Sequence, residues 1–199
     1  MSDNLRRYRA IRDELLQWYP ATLTKTQRHH VRTSAALISG IVGSKSTHLP
    51  QIAMKVPDRT QAESRGKRFA RWARNDRITE EVYFVPYAQV LLAHLALHTL
   101  VLIMDGSVVG RGCVALMMHV VYKGRALPLA WQVRKGKKGH FPEDLHIALV
   151  KQVQPLVPPG ASVVLLGDGE FDGTTLPSMI TTNVCKARCC SKISAYGTK

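Results

Sequence analysis

Apolar side chains recur near the helical period through the first part of the chain. Leu5, Tyr8, Ile11, Leu15 and Trp18 fall on one face, which predicts a helix that Pro20 stops. Thr24 to Gly40 begins polar and basic, then carries Val31, Ala35, Leu37 and Ile38, with Ile41 beyond, at helical spacing. Gly43-Ser-Lys-Ser-Thr reads as a break. Leu49 to Val56 is a short apolar segment ended by Pro57. A further helix is expected over Gln61 to Asn75, with Asp58 or Thr60 as its cap. On it Phe69 and Trp72, three residues apart, are expected to point together into a core.

The pattern changes after Thr99. Leu100-Val-Leu-Ile-Met104 is a continuous apolar run ending at Asp105, and Gly106 to Gly112 reads as a turn. Cys113 to Tyr122 is a second strand, Lys123-Gly124-Arg125 a tight turn, and Ala126 to Val133 a third strand that Pro128 marks as irregular or at an edge. His140 to Leu156 reads as a helix, with Pro142 in its first turn and Leu145, Leu149, Val153 and Leu156 on one face. Ser162 to Leu166 is a buried strand that runs into Gly167-Asp168. The order is β-β-β-α-β. Two hairpins and a helical crossover return the last strand parallel to the first. Asp105 and Asp168 would then lie at the same, carboxyl ends of adjacent strands, the edge where ligands gather in open α/β sheets.

Composition adds a partner class. The 199 residues include 28 Lys+Arg against 14 Asp+Glu, a formal charge of +14. The excess is spread out: 16 basic and 8 acidic side chains in residues 1–100, 12 and 6 in the rest. Such a surface favours a polyanion, because each neutralised phosphate releases condensed counterions. Nucleic acid comes first and an anionic membrane surface second. Collagen-like and low-complexity classes are excluded by 14 Gly and 10 Pro. Val82 to Met104 is uncharged and long enough to span a bilayer, but Pro86, Gln89, His94 and His98 would be costly there. A buried helix running into a buried strand fits it better. The polar N-terminus has no apolar leader, and the four Cys do not suggest a secreted disulfide scaffold, so a reducing cytoplasm is expected.

Four constellations could carry chemistry. Asp105 and Asp168 are two carboxylates in matched contexts, a buried strand followed by Asp-Gly. Hard divalent cations take such oxygen ligands, and metals held there can stabilise a phosphoryl transfer. Each Asp alone is also an ordinary turn former. Glu170 and Asp172 extend the acidic set, or cap a following helix. Arg65, Lys67, Arg68, Arg71 and Arg74, interleaved with Phe69 and Trp72, suit phosphate contact or a solvated face. Arg134, Lys135, Lys137 and Lys138 form a basic, glycine-containing loop that could track a DNA backbone or simply be exposed. The histidines, His94 and His98 included, complete no zinc spacing, and Cys185, Cys189 and Cys190 form only an irregular cluster.

On Leu102-Ile-Met-Asp105-Gly-Ser, the two hairpins, the helix from His140 and Val163-Val-Leu-Leu-Gly-Asp168-Gly-Glu-Phe-Asp172, the chain resembles bacterial insertion-sequence transposases of the DDE type. The group it most resembles has a Tyr-Arg-Glu-Lys signature around its third acid. The resemblance implies an α/β protein in which an incomplete RNase H-like mixed sheet is preceded by an all-α DNA-binding region. The helical region would cover residues 1–80 and the catalytic part 81–176. Asp105 and Asp168 would match the family's first two metal-binding, catalytic acids, with Mg²⁺ or Mn²⁺ as cofactor. The third acid has no counterpart, since nothing after Asp172 is acidic, and the signature Tyr, Arg and Lys are missing too. Residues 177–199 then read as an aberrant, disordered or frameshifted tail of a truncated chain.

The function implied is that of a transposase fragment. It would bind insertion-sequence DNA through Arg65, Lys67, Arg68, Arg71, Arg74, Lys135, Lys137 and Lys138, and would carry two of three acids for phosphodiester cleavage and strand transfer. With one ligand missing, little catalysis is expected of the chain alone. Its expected partners are transposon-end and target DNA, with a homodimer or a full-length transposase beside them, no membrane, and a bacterial cytoplasm near the nucleoid as its place. Two rivals stand: a non-catalytic DNA-binding remnant that inhibits a full-length transposase, and a metal-dependent phosphoesterase of small molecules.

Overall fold

The computed structural model describes residues 2–19, 22–136 and 141–167, and the backbone of 188–189. Lys137, Lys138, Asp168, Glu170 and Asp172 lie outside the described residues. The fold is mixed α/β, and it divides into two compact units, Met1–Tyr87 and Ala88–Lys199.

The first unit is helical. It contains α1 (Asp3–Trp18), α2 (Lys25–Ser44), α3 (Leu49–Met54), α4 (Ala62–Ala73) and α5 (Glu80–Tyr83). A Thr24/Gln27 capping box starts α2, with Thr24 Oγ1 accepting from the Gln27 N–H and Gln27 Oε1 accepting from the Thr24 N–H. The helix ends on Lys45 in the left-handed region. The chain therefore breaks at Lys45, and Gly43 and Ser44 belong to the last helical turn. Two clusters fill this unit. Ala36, Ile52, Ala53, Val56 and Phe69 join α2, α3 and α4. Leu15, Tyr19, Val31 and Ala35 join α1 to α2, and Tyr83 packs against them.

The cap of α4 differs from expectation. Gln61 stands at the N-cap and makes no side-chain cap bond. Asp58 Oδ1 instead accepts from the Thr60 N–H, and its other oxygen meets Arg68. The loop before α4 is thus tied by its own turn and by a side chain from within the helix. Phe69 is fully buried, whereas Trp72 is half-buried and outside that cluster. Three residues turn a helix by about 300° rather than 360°, so the two rings need not share a face's centre.

The uncharged stretch becomes α6 (Val85–Leu95), a short loop and β1 (Leu100–Gly110). Among the described residues no helix is long and apolar enough to cross a membrane. The sheet order is β3-β2-β1-β4-β5, with β2 at Cys113–Tyr122, β3 at Arg125–Lys135, β4 at Val163–Gly167 and a two-residue β5 at Arg188–Cys189. It is mixed: β1, β2 and β3 are antiparallel neighbours, and β1 and β4 are parallel.

The first strand is longer than its apolar run. Gly106, Ser107 and Val108 pair with Leu116, Ala115 and Val114, so the chain turns only at Arg111-Gly112. The β2 partner satisfies backbone groups that Gly-Ser would otherwise leave to a loop. Lys123 and Gly124, both with positive φ, close the next hairpin between Tyr122 and Arg125. Pro128 lies on edge strand β3, beside a register shift between Met118 and His119. Arg134 and Lys135 are strand residues rather than loop residues. Helix α7 (Glu143–Val153), with Pro142 at its N-cap, packs on β2 and β3 through Leu145, Leu149 and Val153. It covers the face that buries Leu100, Leu102, Met104, Leu116, Met118 and Val120. Phe141, just before α7, lies over Gly106, and Gln132 Nε2 on β3 donates to Gln152 Oε1.

Candidate functional site

Alternation along β1 assigns Asp105 to the other face of the sheet. Leu100, Leu102 and Met104 point under α7, so Val101, Ile103 and Asp105 point away from it. Cross-strand register extends that face to Met117, opposite Asp105, and to His119, opposite Ile103. Val101, Ile103, Met117 and His119 are half-buried there, and Asp105 is exposed. The carboxylate accepts a long hydrogen bond, 3.4 Å, from Ser107 Oγ two residues on.

Asp105 is a mid-strand residue, not the end of β1. What ends near it is the pairing with β4. The last described partners are Ile103 and Leu166, two residues before Asp105 and one before Gly167, the last residue of β4. Beyond that point, among the described residues, β1 continues on β2. Asp105 therefore stands at the carboxyl edge of the parallel pair even though its own strand goes on.

A carboxylate and a neighbouring hydroxyl are hard oxygen donors, the kind that Mg²⁺ and Mn²⁺ take. They fit one side of such a site. Among the described residues no group of three His, Cys, Asp or Glu is arranged to hold a metal ion.

The basic residues of α4 do not act alike. Arg65 is 9% exposed, and its guanidinium donates to Ala53 O at 2.7 Å, Asp58 O at 2.8 Å and Thr60 O at 2.6 Å. It braces α3, the connecting loop and the start of α4, and those bonds leave little of it for a phosphate. Lys67 pairs with Glu63 on the exposed face, a contact of small energetic weight. Arg68 meets Asp58 at 2.8 Å, both partly covered. Burial pushes the Asp58 carboxyl up, but the Thr60 N–H and the Arg68 hydrogen bond and charge outweigh it and hold it below the ordinary range. Arg71 and Arg74 are exposed, as are Arg134 and Lys135 on the other unit.

Sequence reasoning did not foresee the polar network under α5. Tyr19 Oη donates to Tyr83 O at 2.7 Å, and Tyr83 Oη lies 2.7 Å from His30 Nδ1. Burial, with the Tyr83 charge second, pushes the Tyr19 hydroxyl up to about 12. Burial, then the neighbouring His29 and Arg77, lowers His30 from its ordinary value. The only signal in the sequence was the His29-His30 pair inside an amphipathic helix. No protein-family model matches the chain, and no curated protein matches it.

Proposed function

We propose that the chain is a DNA-binding protein of the DDE transposase type, with a helical DNA-binding unit and an RNase H-like sheet that carries two of three metal-binding acids. One observation carries the reading. Strands β1 and β4 are parallel neighbours whose paired residues differ by 63 in number, from Leu100 with Val163 to Ile103 with Leu166. Asp105 and Asp168 differ by the same 63. Asp168 itself lies outside the described residues; the register up to Leu166 and the chain order support the reading of a carboxylate pair at one sheet edge.

A divalent ion bound there would lower the charge repulsion around a phosphodiester and activate water. The chain's own part is narrower. Asp105 offers a carboxylate from a strand held at that point by β2, Ser107 Oγ donates a long hydrogen bond to it, and the exposed cations hold the DNA backbone. The DNA-contact set is Arg71, Arg74, Lys135, Lys137 and Lys138, with Lys67 and Arg68 taking part at the expense of their ion pairs, while Arg65 supports the fold. The 199 residues given carry two of the three acids, and weak strand cleavage is proposed of them alone.

Filter binding of insertion-sequence end DNA at rising salt tests the proposal. Affinity should fall steeply between low and physiological salt, on the order of tenfold or more, as phosphate-dominated binding does. Binding that stays level with salt, or no binding at low salt, would overturn it. Efficient Mg²⁺-dependent cutting lost in Asp105→Ala would overturn the claim of weak catalysis and leave the family reading in place.

A further inference from the structure

Helices α2 and α4 of the first unit border an open cleft of about 460 Å³. One wall is His29 and His30 of α2. The other is Arg68, Arg71 and Trp72 of α4, followed by Asn75. These last four stand at i, i+3, i+4 and i+7, a single helical face. The cleft is therefore built from two helix faces locked by the Ala36–Phe69 cluster beneath them.

Its lining selects a ligand. No acid lines it, and two arginines do. Asp58 offsets Arg68 from beside the cleft, which leaves exposed Arg71 as the uncompensated cation. An anion is favoured on that count. The volume is far larger than a phosphate needs and falls in the range of small-molecule sites. Trp72 and the two imidazoles supply ring surface for stacking. Trp72 Nε1 and Arg68 Nε are buried without a hydrogen-bond partner among the described residues. Both atoms are closed to solvent, so the contacts a ligand meets in the cleft are the exposed Arg71 guanidinium and the ring surfaces.

We infer that the α2–α4 cleft is a nucleotide-binding site, in which Arg71 takes the phosphate and Trp72 takes the planar base. It deepens the DNA-binding reading and rests on it for the idea that the nucleotide belongs to a strand. A free mononucleotide has the same chemistry.

Tryptophan fluorescence of the full chain, titrated with deoxyadenosine monophosphate, inorganic phosphate and a single-stranded oligonucleotide, tests it. The mononucleotide should give a saturable quench that is absent in Trp72→Phe and at least tenfold weaker in Arg71→Glu, a surface change that leaves the circular dichroism as it was. Inorganic phosphate should compete without quenching. If the strand is the source, the oligonucleotide saturates the quench at a much lower nucleotide concentration than the monomer. Equal concentrations would identify a free nucleotide and still support the cleft. No saturable quench, a quench surviving in Trp72→Phe, or one indifferent to Arg71→Glu would overturn the site. Salt-dependent DNA binding without the quench removes the cleft and keeps the DNA reading. The quench without DNA binding does the reverse.

Discussion

Arg65 and Arg71 lie on the same helix and have the same chemistry, yet their surroundings give them opposite duties. Arg65 satisfies three backbone carbonyls from a buried position, while Arg71 is exposed at a cleft. Replacing Arg65 with Ala leaves those acceptors without donors and should cost about 3 kcal/mol in chemical denaturation, given the usual worth of charged hydrogen bonds. Arg71→Ala should change stability by less than about 0.5 kcal/mol. Equal effects would contradict the division. The sequence shows five cations in a row of turns and cannot tell which one turns inward. That choice depends on carbonyls of α3 and the loop, brought close only by folding.

His30 gives a pH signature at the same scale. Its folded-state pKa is depressed, so between that value and the unfolded one of about 6.5 the unfolded chain holds more protons. Stability therefore drops as pH falls below about 6.5. His30→Gln, measured by urea midpoints at pH 7 and pH 5, should remove part of that drop. A slope unchanged by the substitution would show that burial and the charges of His29 and Arg77 do not act on His30 as described.

Among the elements, the parallel pairing of β1 with β4 was legible because three strands and a helix leave few unknotted routes back to the sheet. The length of β1 was not. Gly106-Ser107 reads as a turn in isolation, and only its cross-strand partners Leu116 and Ala115 make it a strand. The same logic hid the α2–α4 cleft, whose walls come from segments that show no common pattern until packed. Two glycines measure local conformation free of crowding, since a Cβ at Gly66 or Gly124 would meet nothing within 4 Å. Gly66 lies inside α4, and Gly66→Ala should stabilise the chain by about 0.5–1 kcal/mol in thermal denaturation. Gly124, with φ of 72°, closes the β2–β3 hairpin, and Gly124→Ala should cost about 1 kcal/mol. Effects of the same sign would mean that one of these two backbones is misassigned.

At the scale of the whole molecule, a +14 chain in two units offers exposed cations on both, and an exposed carboxylate, Asp105, on the sheet. Charge alone accounts for affinity toward a polyanion, but it does not require Asp105 to act with a residue 63 positions away. That partnership is what separates a recombinase-type chain from a merely basic one. It is measured by calorimetric titration of Mn²⁺ into the full chain and into Asp105→Asn, Asp168→Asn and the double variant. The prediction is that either single change weakens Mn²⁺ at least tenfold and that the double variant is no worse than the singles, because both remove one shared site. Unaltered Mn²⁺ affinity in either single variant, or no Mn²⁺ binding to the unsubstituted chain, would contradict it.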